Sequence, residues 1–145
     1  MRRGFDSSFL IALSLRTHEH HDFVRHAFDK CLAAGDRMVL TPDVLAEFIH
    51  VACDPRRFAE PLTLRDALAA GRYWWEAEET EQLHPSPKSI ALFFGWMTRH
   101  RLGRKRILDT MLAATLHGAG VTSLLTLNPD DFRIFACFEL FPATP

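Results

Sequence analysis

Three carboxylates carry the chemistry open to this sequence: Asp6, Glu47 and Asp109. Each is set in apolar surroundings. Asp6 follows Phe5 and precedes the run Phe9 to Leu13, Glu47 is the only charge between Asp43 and Asp54, and Asp109 stands alone within Ile107 to Leu116. Carboxylates gathered at the edge of a core repel one another and resist desolvation unless a cation joins them, and hard oxygen ligands suit Mg²⁺ or Mn²⁺. Taken singly, the same residues have plainer roles: a helix cap for Asp6, a solvated charge for Glu47, a complement to a helix dipole for Asp109. Spacing alone does not decide between them.

The elements that must position these groups follow from periodicity. Phe5-Asp6 reads as the end of a very short strand, and Ser7 or Ser8 caps a helix through Leu13. A helix from His21 to Ala34 closes at Gly35. Met38 to Leu40 is a buried strand, after which Thr41-Pro42-Asp43 supplies an N-cap, a proline at the first helical position and an acidic first turn. That helix turns Val44, Leu45, Phe48, Ile49 and Ala52 inward, places Glu47 at the border of the buried stripe and stops before Asp54-Pro55. Further helices are predicted over Leu62 to Glu78, with Thr63 as a cap, over Pro87 to His100, and over Ile107 to His117. Val121 to Leu127 is an apolar strand, and Phe138 to Phe141 an edge strand. Short strands alternating with helices imply crossover connections, hence a three-layer α/β/α sandwich with a mainly parallel sheet whose ligands gather at the carboxyl ends of the strands.

The chain has 145 residues and a formal net charge of −1, with 48% hydrophobic residues. That length suits one domain spanning residues 1–145, and near-neutrality excludes a protein that coats nucleic acid by bulk charge. The three cysteines, Cys31, Cys53 and Cys137, form no CxxC pair and suit a reducing compartment. No stretch approaches the ~20 apolar residues of a membrane span. A cytoplasmic protein without a membrane contact is expected. There is no GxGxxG or GxxxxGK[ST] loop, no GxSxG elbow, and no second aspartate after Asp6 of the kind an aspartyl-phosphate phosphatase needs. His18, His20, His21 and His26, with Glu19 and Asp22, suit a solvent-facing segment better than a zinc site. Tyr73-Trp74-Trp75 and Phe93-Phe94-Gly95-Trp96 cannot all face one way on a helix, so some should meet a partner.

Four segments in order give the chain a family likeness: Phe5-Asp6-Ser7-Ser8-Phe9-Leu10, Thr41-Pro42-Asp43-Val44-Leu45-Ala46-Glu47-Phe48, Asp109-Thr110-Met111-Leu112-Ala113-Ala114, and Thr126-Leu127-Asn128-Pro129-Asp130-Asp131-Phe132. Together they resemble the PIN-domain family, and within it the VapC-type toxins of bacterial toxin–antitoxin pairs. The resemblance implies a ribonuclease in which Asp6, Glu47 and Asp109 bind Mg²⁺ or Mn²⁺. Asn128 matches a fourth catalytic position that is acidic or asparagine in the family, and Ser8 and Asp131 are accessory candidates. It also implies an RNA substrate and a cognate antitoxin whose basic side chain reaches the acidic pocket, while the crowded aromatics at Tyr73-Trp74-Trp75 and Phe93-Phe94 call for a homodimer. Arg99, Arg101, Arg104, Lys105 and Arg106, beside His100, crowd a helix start where cations oppose the macrodipole. They call for an anion, either Asp109 or an RNA phosphate, which makes Arg104 and Arg106 the candidate RNA-binding residues. The first strand departs from the family, with only Met1-Arg2-Arg3-Gly4-Phe5 before its aspartate, so Asp6 is expected to be poorly fixed. Together with the uncharged Asn128, that departure supports an alternative: a catalytically weak RNA-binding or interaction module that retained the fold.

Overall fold

Two arginines begin the central strand of the sheet, and both are satisfied where they stand. In the computed structural model, which describes residues 1–142, Arg2–Phe5 forms β1. Arg2 Nε donates to Glu81 Oε2 at 2.9 Å, and Arg3 donates to Asp36 Oδ2 at 2.6 Å and Ser123 Oγ at 2.8 Å. The Arg3 guanidinium also lies over the Phe141 ring at 4.9 Å, a cation–π arrangement. Charges at the amino edge of a strand that find partners on both sides leave the strand intact, so β1 is longer than Phe5-Asp6 suggested.

The other elements are α1 (Ser7–Ser14), α2 (His21–Ala33), β2 (Arg37–Leu40), α3 (Pro42–Ala52), α4 (Leu64–Glu76), β3 (Thr80–Gln82), α5 (Pro87–Arg99), a 3-10 turn (Arg104–Arg106), α6 (Ile107–Gly118), β4 (Ser123–Leu125), the single-turn α7 (Asp130–Arg133) and β5 (Glu139–Phe141). The sheet order is β3-β2-β1-β4-β5 and every pairing is parallel. Chain direction across the sheet reverses at β1: β2 and β3 are added on one side, β4 and β5 on the other. The crevice beyond the carboxyl ends of β1 and β4 is therefore the switch point at which such sheets bind ligands.

Alternate residues of β1 face opposite layers. Phe5 meets Phe9, Phe28 and Trp74, with ring centroids 6.1 to 6.2 Å apart, and Trp74 Nε1 donates to Ser14 Oγ at 2.7 Å. Gly4 faces α6 instead. A Cβ at Gly4 would overlap Leu116 Cδ1, and Leu116 is fully buried. Glycine is required there by the closeness of α6 to the strand.

Several elements differ from the sequence reading for physical reasons. The strand β3 was not anticipated because Thr80-Glu81-Gln82 is an edge strand without a single apolar residue. The apolar run Val121 to Leu127 is a strand only at Ser123–Leu125; beyond it the Thr126 amide still donates to Phe141 O at 3.0 Å, and the Leu127 amide turns to Ser8 Oγ at 3.0 Å. Thr41 does not cap α3 through its side chain, whereas Thr63 does cap α4, accepting from the Asp66 amide at 3.1 Å. Gly35 takes φ of +78° just past α2, which suits its role in ending that helix. Among the aromatics, Trp74 and Trp96 are buried, while Tyr73 is 63% and Phe94 64% exposed. Among the described residues no helix is long and apolar enough to cross a membrane.

Gly4→Ala should lower stability by roughly 1–3 kcal/mol through overpacking. Thermal melts of this variant and of Gly4→Ala/Leu116→Ala test the cause, since the double variant should lose less than the sum of its two single changes.

Candidate functional site

Asp6 is the first residue past β1, and its backbone amide still donates to Leu125 O at 2.9 Å, which holds it in the sheet. Its carboxylate is only 5% exposed. Oδ2 accepts from Ser8 Oγ at 2.6 Å and from Thr126 Oγ1 at 2.7 Å. Burial raises the proton affinity of Asp6, and the Ser8 and Thr126 hydroxyls oppose that by stabilising the charged form. Far from being loosely held at a short strand, Asp6 is fixed from both neighbouring elements. The register explains why: Gly4 pairs with Val39 and Phe5 with Leu125, so the next residues along are Thr41, Asp6 and Thr126, side by side at one edge.

Glu47 arrives from the second turn of α3. Desolvation raises its proton affinity, as do the charges of Asp6 and Asp43, while a hydrogen bond from Ser7 and the charge of Arg57 lower it. Asp109 arrives from the first turn of α6. Burial and then the negative charges of Asp6, Asp131 and Glu47 push it up to about 7, against the pull of Arg106. Three carboxylates from three separate elements thus sense one another's charge at a single end of the sheet.

The remaining candidates take different positions. Ser8 bonds Asp6 directly, as above. Asn128 is exposed and gives its backbone amide to Thr126 Oγ1 at 2.9 Å. Asp131 is the second residue of α7, and its charge reaches both Asp6 and Asp109. Arg104 is exposed on the 3-10 turn, whereas Arg106 turns inward, its Nε 3.6 Å from Asp109 Oδ2 and its Nη1 3.8 Å from Asp131 Oδ1. It also donates to the Asp131 carbonyl. The basic run therefore finds its anion within the chain at Arg106, and among the described residues Arg104 pairs with no carboxylate.

Sequence reasoning passed over Thr126, Ser7, Asp43 and Arg57. The available signals were slight: a threonine closing an apolar strand, and an aspartate four residues before Glu47 on one helix face.

Among the described residues no three His, Cys, Asp or Glu side chains stand as a ready-made ligand cluster. The donor chemistry nevertheless fits a hard divalent cation. The carboxylates raise one another's proton affinity, and Asp43 Oδ1 and Thr41 Oγ1 beside them are buried without a hydrogen-bond partner. A cation satisfies such a surplus of oxygen lone pairs where neutral side chains cannot.

A PIN domain family model matches residues 5–136 of this chain. Its fold is similar to that of VapC20 from Mycobacterium tuberculosis, described as a sarcin–ricin loop cleaving toxin, at 18% identity and a TM-score of 0.71, with 100% of both chains covered. It is likewise similar to VapBC2 from Rickettsia felis bound to a DNA fragment from its promoter, at 14% identity, a TM-score of 0.71 and 97% coverage of each chain. VapBC-1 from nontypeable Haemophilus influenzae aligns at 16% identity and a TM-score of 0.68, over 97% of this chain and 96% of that one. No curated protein sequence matches the chain.

The crowding of carboxylates sets a pH dependence. Asp109 has a folded pKa of about 7, above the unfolded value near 3.9. The folded state therefore binds the proton more tightly, and the stability this confers is lost as pH rises from the unfolded value through about 7. The metal-free protein should be less stable at pH 8 than at pH 5.5, by on the order of a few kcal/mol. Thermal melts should show Asp109→Asn flattening this slope and Mn²⁺ restoring stability at pH 8 in the parent only. An unchanged slope in Asp109→Asn would remove Asp109 from the cluster.

Proposed function

The chain belongs to the PIN-domain family, and on that premise we propose that it is a single-domain, cytoplasmic endoribonuclease dependent on Mg²⁺ or Mn²⁺, the toxin of a VapBC-type toxin–antitoxin pair. One observation carries this: Asp6, Glu47 and Asp109 come from three separate elements to the switch-point crevice and raise one another's proton affinity there. Asp6, Glu47 and Asp109 would hold the metal, with Asp131 and the amide of Asn128 at the rim. When bound, such an ion supplies Lewis acidity and a water of lowered pKa for hydrolysis of a phosphodiester.

The chain's own groups do the rest. Ser8 and Thr126 favour the charged form of Asp6 against its burial and fix it in direction. Arg106 offsets part of the negative charge at Asp109 and Asp131, which lowers the repulsion a scissile phosphate meets on approach. Arg104, exposed on the turn before α6, is placed to contact RNA phosphate. A crevice of this kind suits an unpaired loop rather than a regular duplex, whose base edges lie in a groove that side chains read poorly. The loop-cleaving description of VapC20 agrees with that choice.

A protein antitoxin is the proposed partner, in keeping with the VapBC complexes of similar fold. An inserted arginine can pair bidentately with the carboxylates and so block both cation and RNA. An apolar cleft of about 570 Å³ between α3 and α4, lined by Leu45, Ile49, Leu68 and Trp75, offers such a partner a second hold. Exposed Tyr73 and Phe94 support a homodimer.

Purified protein should cleave single-stranded RNA with Mn²⁺ and stop on addition of a chelator. Glu47→Gln and Asp109→Asn should each lower the rate by roughly a hundredfold or more, since loss even of a supporting group at a metal site costs ~10–100-fold. Both variants should keep the parent's circular dichroism spectrum. Cleavage that survives the chelator or Asp109→Asn would defeat the metal mechanism. RNA binding without cleavage in every metal would instead favour the catalytically weak module, which the uncharged Asn128 supports.

A further inference from the structure

A second cleft shares Ser8 with the surroundings of the carboxylate site. It has a volume of about 280 Å³ and runs from Ser8 and Asn128 to His18, His20, Arg57 and Phe58. Ser8 ties its near end to catalysis, because Ser8 Oγ bonds Asp6 Oδ2. The far end is walled by rings. His18 and Phe58 have centroids 6.5 Å apart with their planes at 57°, and His18 and His20 are 5.7 Å apart at 48°. None of these rings stacks flat on another, and His18, His20 and Phe58 are each only partly buried where they line the cleft.

The walls are held by the backbone. The His18 amide donates to Leu15 O at 2.9 Å, the His21 amide to His18 O at 3.0 Å, and the Phe58 amide to Asp54 O at 3.3 Å. The His20 amide donates to His18 Nδ1 at 3.1 Å, which orients the ring and leaves the proton of the neutral form on Nε2. Burial, and then the nearby His20, push His18 below the ordinary histidine value, so the ring is an uncharged surface at neutral pH.

Charge is arranged in order along the cleft. Arg57 is exposed, lies close enough to Glu47 to lower its proton affinity, and pairs only loosely with Asp54 at 3.9 Å. It lines the same cleft as the rings while its charge reaches Glu47, so it can meet a phosphate next to the scissile one. Glu19 lies at the ring end and pairs with His20 at 3.7 Å, which disfavours a second phosphate there.

We propose that this cleft is a nucleobase subsite, taking one unpaired base of single-stranded RNA adjacent to the cleaved phosphate, stacked against His18 and Phe58 with Arg57 on its phosphate. At about 280 Å³ the cleft is just below the ~300–1,000 Å³ of small-molecule pockets and has room for one base. Aromatic faces accept any base by stacking, and the Asn128 amide and His20 imidazole at the walls supply donors and acceptors for a base edge. This subsite rests on the ribonuclease reading, and it makes the residues that choose the cleavage position separable from those that perform it.

The test uses the full chain and two readouts. Proton NMR of the histidine ring signals, recorded in chelator with AMP, UMP and ribose 5-phosphate as probes, reads the subsite without catalysis. AMP and UMP should shift the His18 signal saturably, and ribose 5-phosphate should not. Steady-state cleavage of a single-stranded oligonucleotide with Mn²⁺ should show His18→Ala and Phe58→Leu raising KM roughly 5- to 100-fold, the range expected when one base loses its stacking partner. Movement of kcat should be small, and Phe58→Tyr should restore KM. Equal shifts from AMP and ribose 5-phosphate, or an active enzyme whose KM ignores both substitutions, would overturn the subsite and leave the nuclease standing. Base-specific shifts in a chain that cuts no RNA would retain the subsite and overturn the nuclease.

Discussion

A carboxylate buried at the carboxyl end of the central strand governs this molecule. Burial there favours the neutral form of Asp6, and two hydroxyls, from Ser8 on α1 and Thr126 beyond β4, oppose it by donating to the same oxygen, with help from the Ser7 backbone amide. Those two bonds tie together the elements on either side of the switch point. Thr126 in turn accepts the Asn128 amide and Ser8 accepts the Leu127 amide, so the segment that leaves β4 is folded around Asp6. The carboxyl end of the β4 ladder is set here too: the Thr126 amide still reaches Phe141 O, and the next amide, that of Leu127, is spent on Ser8.

The second constraint is that like charges are brought together. Asp109 is delivered in the first turn of α6, where partial positive charge favours it, and Glu47 in the second turn of α3, yet burial and mutual repulsion raise both. The chain answers with one internal cation. Arg106 lies between Asp109 and Asp131, and its Nε is buried without a hydrogen-bond partner, so it relieves the cluster without neutralising it. Residual negative charge of this kind is what a divalent cation, or a partner's basic side chain, would complete. The local conflict is typical of a functional site held in place by a fold that is otherwise consistent, as the aromatic cluster on Phe5 and the Gly4–Leu116 contact are.

Most of the fold was legible in the sequence. Helices with strong starts, such as Pro42–Ala52 and Pro87–Arg99, could be placed from proline and periodicity alone. What escaped was set by tertiary pairing: Arg2 and Arg3 look unlike strand residues until Glu81, Asp36 and Ser123 are beside them, and Thr80–Gln82 is a strand only because β2 offers an edge. The isolation of Glu47 and Asp109 in apolar helices marked them as candidates, and the family likeness joined them to Asp6. The supporting groups were illegible for a plainer reason. Thr126 and Arg57 act through neighbours that are distant in sequence, and neither residue type in isolation signals a role.

The central claim is that Asp6, Glu47 and Asp109 together form one cation site. Diffraction from crystals grown with Mn²⁺, collected at a wavelength where manganese scatters anomalously, tests it directly. An anomalous peak within about 2.0–2.6 Å of oxygens from Asp6 and Asp109, with Glu47 bound directly or through water, is the predicted result. A fully occupied Mn²⁺ elsewhere on the chain, with these three carboxylates bare, would contradict the account.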